Sequence, residues 1–220
     1  MDMRFGTWNI RSMYRAGSLR AVVEEILKYK LDLAGVQVKW EGGGIAPAGE
    51  YTFFYGKVIK NRFYEELEHV FDKFPKYSMK ISLGDSNAKV GRENILKPTI
   101  WNGSLYEISN DNGLRVVNFA TSKNLTVKST MFPHYNIHKF TWTYPDGKIH
   151  NQIDHILIDR RRHSNILDVR SFKAADCVTD YYLVVAKERL ADSHILNRWK
   201  NYFSPLLNVH RVSDVRQIGS

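Results

Sequence analysis

The sequence predicts an α/β or α+β sandwich, and three observations carry that prediction. Apolar strand-like runs interleave with amphipathic helical stripes in the first half of the chain. Hairpin-like alternation dominates the second half. Polar residues recur at the ends of the apolar runs: Asn9, Gln37, Asp85, Asp154 and Asp180.

Arg4–Trp8 reads as a short strand that ends at Asn9. Leu19, Val22, Val23, Ile26 and Leu27 follow at helical spacing, with Ser18 as a candidate N-cap. The nearly continuous apolar run Leu31–Gln37 suits a buried strand. Glu41–Glu50, "EGGGIAPAGE", reads as a Gly/Pro loop, and Tyr51–Tyr55 as an aromatic strand. Phe63, Leu67, Val70, Phe71 and Phe74 mark a second amphipathic helix, which Pro75 ends. Met79–Leu83 is a strand that stops at Gly84, just before Asp85. A helix is expected from about Asn112 to Ser122, then a strand at Leu125–Val127. Phe140–Asp159 alternates around a Pro-Asp-Gly turn, a hairpin signal. Asp168–Phe172 and Tyr182–Ala186 supply the last strands. Beyond Asp192, the residues Ile195, Trp199, Tyr202, Phe203 and Leu206 form a helical apolar stripe that suits protein association. The expected division is one domain over residues 1–190 and a helical tail over 191–220.

At 220 residues, 43% of them hydrophobic, the chain is long and apolar enough for one core-bearing domain, which excludes a disordered chain. Its formal charge of +9 favours an anionic partner such as nucleic acid; the plainer reading is a basic protein with no such partner. Cys177 is the single cysteine, which excludes an intrachain disulfide and a thiolate zinc cluster. The opening "MDMRFGTWNI" has no basic stretch leading into an apolar one, and no apolar run is long enough to span a bilayer. A nuclear or cytoplasmic protein, not secreted and not held in a membrane, is expected.

An Asp at a strand end is by itself more often a turn or cap residue than a ligand. Several carboxylates and amides at strand ends of one sandwich, however, suit a hard divalent ion such as Mg²⁺ or Mn²⁺. Such an ion can polarise a phosphodiester and stabilise its leaving oxygen. The run Arg160, Arg161, Arg162, with His163, reads either as a phosphate grip or as a solvated basic turn.

The segments "TWNIRSM", "LDLAGVQ", "GDSNAKVG", "WTYPDGKIHNQIDHILIDRRR" and "DYYLVVA" resemble the exonuclease–endonuclease–phosphatase superfamily. The resemblance is strongest to the endonuclease part of non-long-terminal-repeat retrotransposons and to the craniofacial development protein 2-like chains. It covers about residues 1–190 in blocks, and residues 194–218 look like the connector towards a reverse transcriptase. The resemblance implies a four-layer α/β sandwich and cleavage of nucleic-acid phosphodiesters with Mg²⁺ or Mn²⁺, DNA being favoured over RNA. It implies a metal and phosphate role for Asn9, from the first-strand "WN" motif. It implies that Asp85 and Asn87, from a "GDFN"-like motif, orient the attacking water and the phosphate. Asp154 matches the aspartate that supports the catalytic histidine or the metal, and Asp180 matches the Asp of a terminal "SDH" motif.

Four departures from the family pattern imply a weakened or lost activity, or a basic module that only binds nucleic acid or protein. The Glu that follows Gln in the second apolar strand is replaced by Val38, and Glu41 is out of register. The motif's last histidine is Tyr181, whose phenol, with an ordinary pKa of about 10, is a poor base at neutrality. "FFYGKVIKNRFYEELE" passes directly from strand to helix where the family places further strands, so the sandwich is expected to be incomplete, with central strands missing. Ser86 replaces the usual Phe. His155 adjoins Asp154, but neighbouring strand residues face opposite ways, so it is expected to pack rather than to replace the missing imidazole.

Overall fold

The structure, a computed structural model, describes residues 2–10, 18–38, 44–48, 51–55, 67–69, 71–72, 80–173 and 179–189. Cys177, Glu41, most of the stretch expected to be shortened and the whole tail, with Ile195, Trp199, Tyr202, Phe203 and Leu206, lie outside the described residues.

Two sheets face each other. The first contains β1 (Asp2–Ile10), β2 (Leu33–Val38), β10 (Ile166–Phe172) and β11 (Leu183–Arg189), in the order β10-β11-β1-β2. The second contains β5 (Ile81–Asp85), β6 (Leu125–Val127) and β9 (Asp154–Asp159), in the order β5-β9-β6. Strand alternation sorts their side chains into three cores. Met3, Phe5, Ile156, Ile158, Val169 and Val184 meet between the sheets. Trp8, Ile10, Leu183 and Val185 turn outward onto Val22 and Ile26 of α1 (Ser18–Lys28). Val127 and Leu157 turn outward onto Val116, Val117 and Ala120 of α2 (Asp111–Ser122). Helix, sheet, sheet and helix are the four layers of the α/β sandwich.

α2 begins one residue before the expected Asn112, at an N-cap: the Asn110 side chain accepts from Gly113 N at 2.8 Å. Gly113 is needed for close approach, since a methyl there would run into the Lys89 carbonyl. Gly113→Ala is therefore expected to cost about 1–3 kcal/mol, read as a lower urea midpoint in chemical denaturation.

Two expectations are corrected. Residues 44–48 are not a loop: β3 (Gly44–Ala48) pairs with β4 (Tyr51–Tyr55), and Pro47 is tolerated because this two-stranded ribbon is all edge. Phe140–Asp159 forms the expected hairpin around its Pro-Asp-Gly turn only in its first part. β7 (Trp142–Thr143) pairs with β8 (His150–Asn151), while Asp154 opens the central strand of the second sheet. In α1, Leu27 is 48% exposed, outside the buried stripe. Residues 67–69 and 71–72 are helical, and Phe71 packs edge-on against Phe119 of α2.

Candidate active site

β1 and β5 end at one edge of the sandwich, and β9 and β11 begin there. The register dictates this, because β5 runs antiparallel to β9 and β1 antiparallel to β11. Odd-numbered residues of β1 and β5 and even-numbered residues of β9 face the cleft between the sheets. Asn9, Asp85 and Asp154 thus share that cleft. Asp85 and Asp154 are a direct cross-strand pair. Asn9 Nδ2 donates to Asp85 Oδ2 at 2.8 Å, joining the two sheets.

The strand-end motif has a defined local geometry. Gly84 adopts φ 154°, a value that side-chain-bearing residues rarely take, and nothing crowds it. Asp85 Oδ1 accepts from Asn87 N at 2.8 Å, closing a tight turn in which Asn87 takes the left-handed φ of 47°. The Asn87 side chain is exposed at the rim, and its carbonyl accepts from Asn112 Nδ2 at 3.0 Å. Asp85 is thereby held with one oxygen on the first sheet's amide and the other on its own turn.

Asp154 is 2% exposed, and its Oδ2 has no hydrogen-bond partner among the described residues. Burial first, and the facing Asp85 carboxylate second, push its acid up to about 8, while the Thr141 side chain pulls the other way. Thr141 also accepts from Ile153 N at 2.9 Å and Asp154 N at 3.1 Å, so it fixes the start of β9. Sequence reasoning missed Thr141; its only signal was its place in the alternating "FTWTY" stretch.

Asp180 precedes β11 at the same edge, where its carbonyl accepts from Thr143 N at 2.8 Å. Thr179 Oγ1 donates to Asn9 O at 3.4 Å and Tyr181 O accepts from Trp8 Nε1 at 3.3 Å, tying this segment to the end of β1. The Tyr181 ring packs on the α1-side core, beside Trp8, and not in the cleft with Asp154. Gln37 lies beside Asn9 in the parallel β1–β2 register, and Val38, where the family has Glu, ends β2. Among the described residues, no three His, Cys, Asp or Glu side chains gather around one point as metal ligands. The oxygen donors that do meet are the Asp85–Asp154 pair, with Asp85 also held by the Asn9 amide.

His155 faces away from this cleft and is 1% exposed. Its Nε2 donates to Ala88 O at 2.9 Å, which leaves Nδ1 to accept from Ser129 Oγ at 2.8 Å. Burial holds the imidazole down at about 4, so it is a neutral core residue. Arg160, Arg161 and Arg162 stand at the other end of β9, about 20 Å along the strand from Asp154. Arg161 is chelated by Asp159, and Arg160 Nη2 donates to Thr99 Oγ1 at 3.0 Å.

No family model matches the chain. Craniofacial development protein 2 of Tragulus javanicus is 28% identical over 243 residues, covering 84% of this chain and 42% of that protein. The Bos taurus protein is also 28% identical, with 84% of this chain and 40% of that protein covered. The chain thus spans about two fifths of the length of these relatives. Among solved structures, the endonuclease domain of TRAS1, a telomere-specific non-LTR retrotransposon, superposes with a TM-score of 0.55 at 12% identity, covering 86% of this chain and all of that one. An AP endonuclease from Archaeoglobus fulgidus gives 0.54 at 13% identity, covering 86% and 100%. The 3′ phosphatase NExo from Neisseria, bound to a product DNA hairpin, gives 0.55 at 16%, with the same coverage. No helix among the described residues is long and apolar enough to cross a membrane. The chain carries the sandwich fold of the exonuclease–endonuclease–phosphatase superfamily and is similar in sequence to craniofacial development protein 2.

Proposed function

We propose that this chain is a weakened, divalent-cation-dependent nuclease, acting on the phosphodiesters of nucleic acid, DNA rather than RNA. The observation that carries the reading is the Asp85–Asp154 pair, with Asn9 bonded to Asp85, at one edge of a nuclease-type sandwich. The site fits a hard cation: its donors are oxygens, and Asp154 Oδ2 lacks a partner among the described residues. Mg²⁺ is commonly held by one or two carboxylates, with water and substrate phosphate completing its shell. When bound, such an ion neutralises charge on the phosphodiester oxygens. Asp85 and Asp154 would hold it, with Asn9 fixing Asp85; Asp180 would contribute from the same edge. Asn87, at the rim, would orient the phosphate.

Two features weaken the site. Val38 offers no third carboxylate at the end of β2, and the Tyr181 phenol packs away from the cleft. Without a positioned imidazole, the rate is expected to be lower by ~10²–10⁴. These same features favour a second reading, a basic module that binds nucleic acid without cutting it. The double change Val38→Glu, Tyr181→His separates the two: a rise in cleavage supports the weakened nuclease, and no rise favours the binding module.

Cation binding is tested without catalysis. Adding Mn²⁺ at pH 8 is expected to raise the melting temperature by about 2–5 °C in the wild type. Asp154→Asn should lose most of that rise. An equal rise in both proteins would remove Asp154 from the cation site.

A further inference from the structure

The cleft between the sheets continues from the carboxylate edge towards β10. There it widens into a cavity of about 270 Å³, part of it open to solvent. Asp154, Thr141 and Gln152 wall it from the side of the second sheet, and Ser171, Val169 and Val184 from the first. Ser171 lies opposite Val184 in the β10–β11 register, so its hydroxyl faces the cleft as Val184 does. Asp154 is 2% exposed and Ser171 3%. Among the buried polar atoms of this wall, Asp154 Oδ2 and Ser171 Oγ are the two with no hydrogen-bond partner among the described residues. The polar groups beside them are engaged. Gln152 Oε1 accepts from Leu105 N at 2.9 Å, and Gln152 Nε2 donates to Ser129 O at 3.4 Å. Thr141 Oγ1 accepts from the Ile153 and Asp154 amides.

Two orphaned oxygens that face one cavity are costly unless something joins them. We propose that a water molecule bound in this cavity joins Asp154 Oδ2 to Ser171 Oγ, and that Ser171 is thereby a positioning residue for Asp154. A water fits by size, since its share of liquid volume is about 30 Å³. It also fits by chemistry: it donates and accepts, so it serves a carboxyl oxygen and a hydroxyl at once, whether or not the acid carries its proton. Ser171 itself is fixed by β10, which pairs with β11 from Asp168 to Phe172. The water thus ties the Asp154 carboxyl to the opposite sheet, as Asn9 ties Asp85. What Asp154 is positioned for rests on the proposed function; the water does not.

The first test is a pair of high-resolution crystal structures of the metal-free protein, wild type and Ser171→Ala. The wild type is expected to hold an ordered water within about 3 Å of both atoms. Ser171→Ala should fold, because it removes only a hydroxyl without a protein partner, and should lose that water and the fixed orientation of the Asp154 carboxyl. No water in the wild type overturns the proposal. So does Lys139, half-buried on the same wall, bonded to Asp154 in the water's place. An unchanged water and carboxyl in Ser171→Ala overturns the role of Ser171. The second readout is Mn²⁺ affinity, from the electron paramagnetic resonance signal of the free ion. Ser171→Ala is expected to bind about tenfold more weakly, and Ser171→Thr, which restores a hydroxyl, like the wild type. Equal affinity in Ser171→Ala overturns the positioning role. A wild type that binds no Mn²⁺ fails the nuclease reading alone, and the crystal structures still decide whether the water holds Asp154.

Discussion

Without divalent cations at pH 8, the Asp154→Asn protein is expected to melt about 10 °C above the wild type. The cause is the cost of the Asp154 acid, whose pKa lies at about 8 in the folded chain against 3.8 for the free group. Below about pH 4 both states keep the proton, and the burial carries no extra penalty. As pH rises towards about 8, the unfolded chain releases the proton while the folded chain holds it, so stability falls across that window. The accumulated loss is on the order of 5 kcal/mol. Asparagine has no proton to lose and can donate to Asp85 across the strand pair. The gap should shrink to a few degrees near pH 5, and Mn²⁺ should narrow it by stabilising only the wild type. Wild-type stability that stays flat from pH 5 to 8 would show that Asp154 is not held as a buried acid. The residue whose burial costs most is the one proposed to hold the cation, a trade of stability for function.

The second large effect belongs to its neighbour on the opposite face. His155 titrates at about 4 when folded against 6.5 when free. Its contribution is therefore complete above about pH 6.5 and is lost as pH falls towards about 4, on the order of 3 kcal/mol in all. His155→Ala should destabilise the protein at pH 7 by about 3–5 kcal/mol, from the cavity and from the unsatisfied Ala88 carbonyl and Ser129 hydroxyl. The stability gap between the wild type and this variant should also narrow as pH falls from 6.5 to 4.5, measured as urea midpoints at each pH. An unchanged gap would place the titrating group elsewhere. Between pH 4 and 6.5 these two adjacent residues, one facing each side of β9, act in opposite directions, so each effect is read as the difference between its variant and the wild type.

Most of the fold was legible because its signals are local. The Leu125–Val127 strand has the predicted bounds, and α2 starts within one residue of its predicted start because the 3.6-residue pattern marks it. The ribbon at Gly44–Ala48 was hidden by its Gly and Pro content, since the pairing that overrides those residues comes from Tyr51–Tyr55. Strand-end positions made Asn9, Asp85 and Asp154 candidates, and alternation predicted that His155 would turn away from Asp154. Their mutual arrangement was not legible. The Asn9–Asp85 bond crosses between sheets, and Asp154 faces Asp85 only through the β5–β9 register. Thr141 escaped notice for the same reason: it acts on residues far along the chain and carries no motif. The basic run Arg160–Arg162 was conspicuous in sequence, yet Asp159, one residue upstream, already occupies Arg161.

The most direct test of a surviving site is nicking of supercoiled plasmid DNA by purified, monodisperse protein with Mg²⁺ or Mn²⁺, beside an Asp85→Ala control. Slow nicking that needs both the metal and Asp85 is the predicted result. Nicking that is absent at high protein concentration, or equal in the Asp85→Ala protein, would contradict it, and would leave the Asp85–Asp154 edge as the frame of a site that no longer cuts.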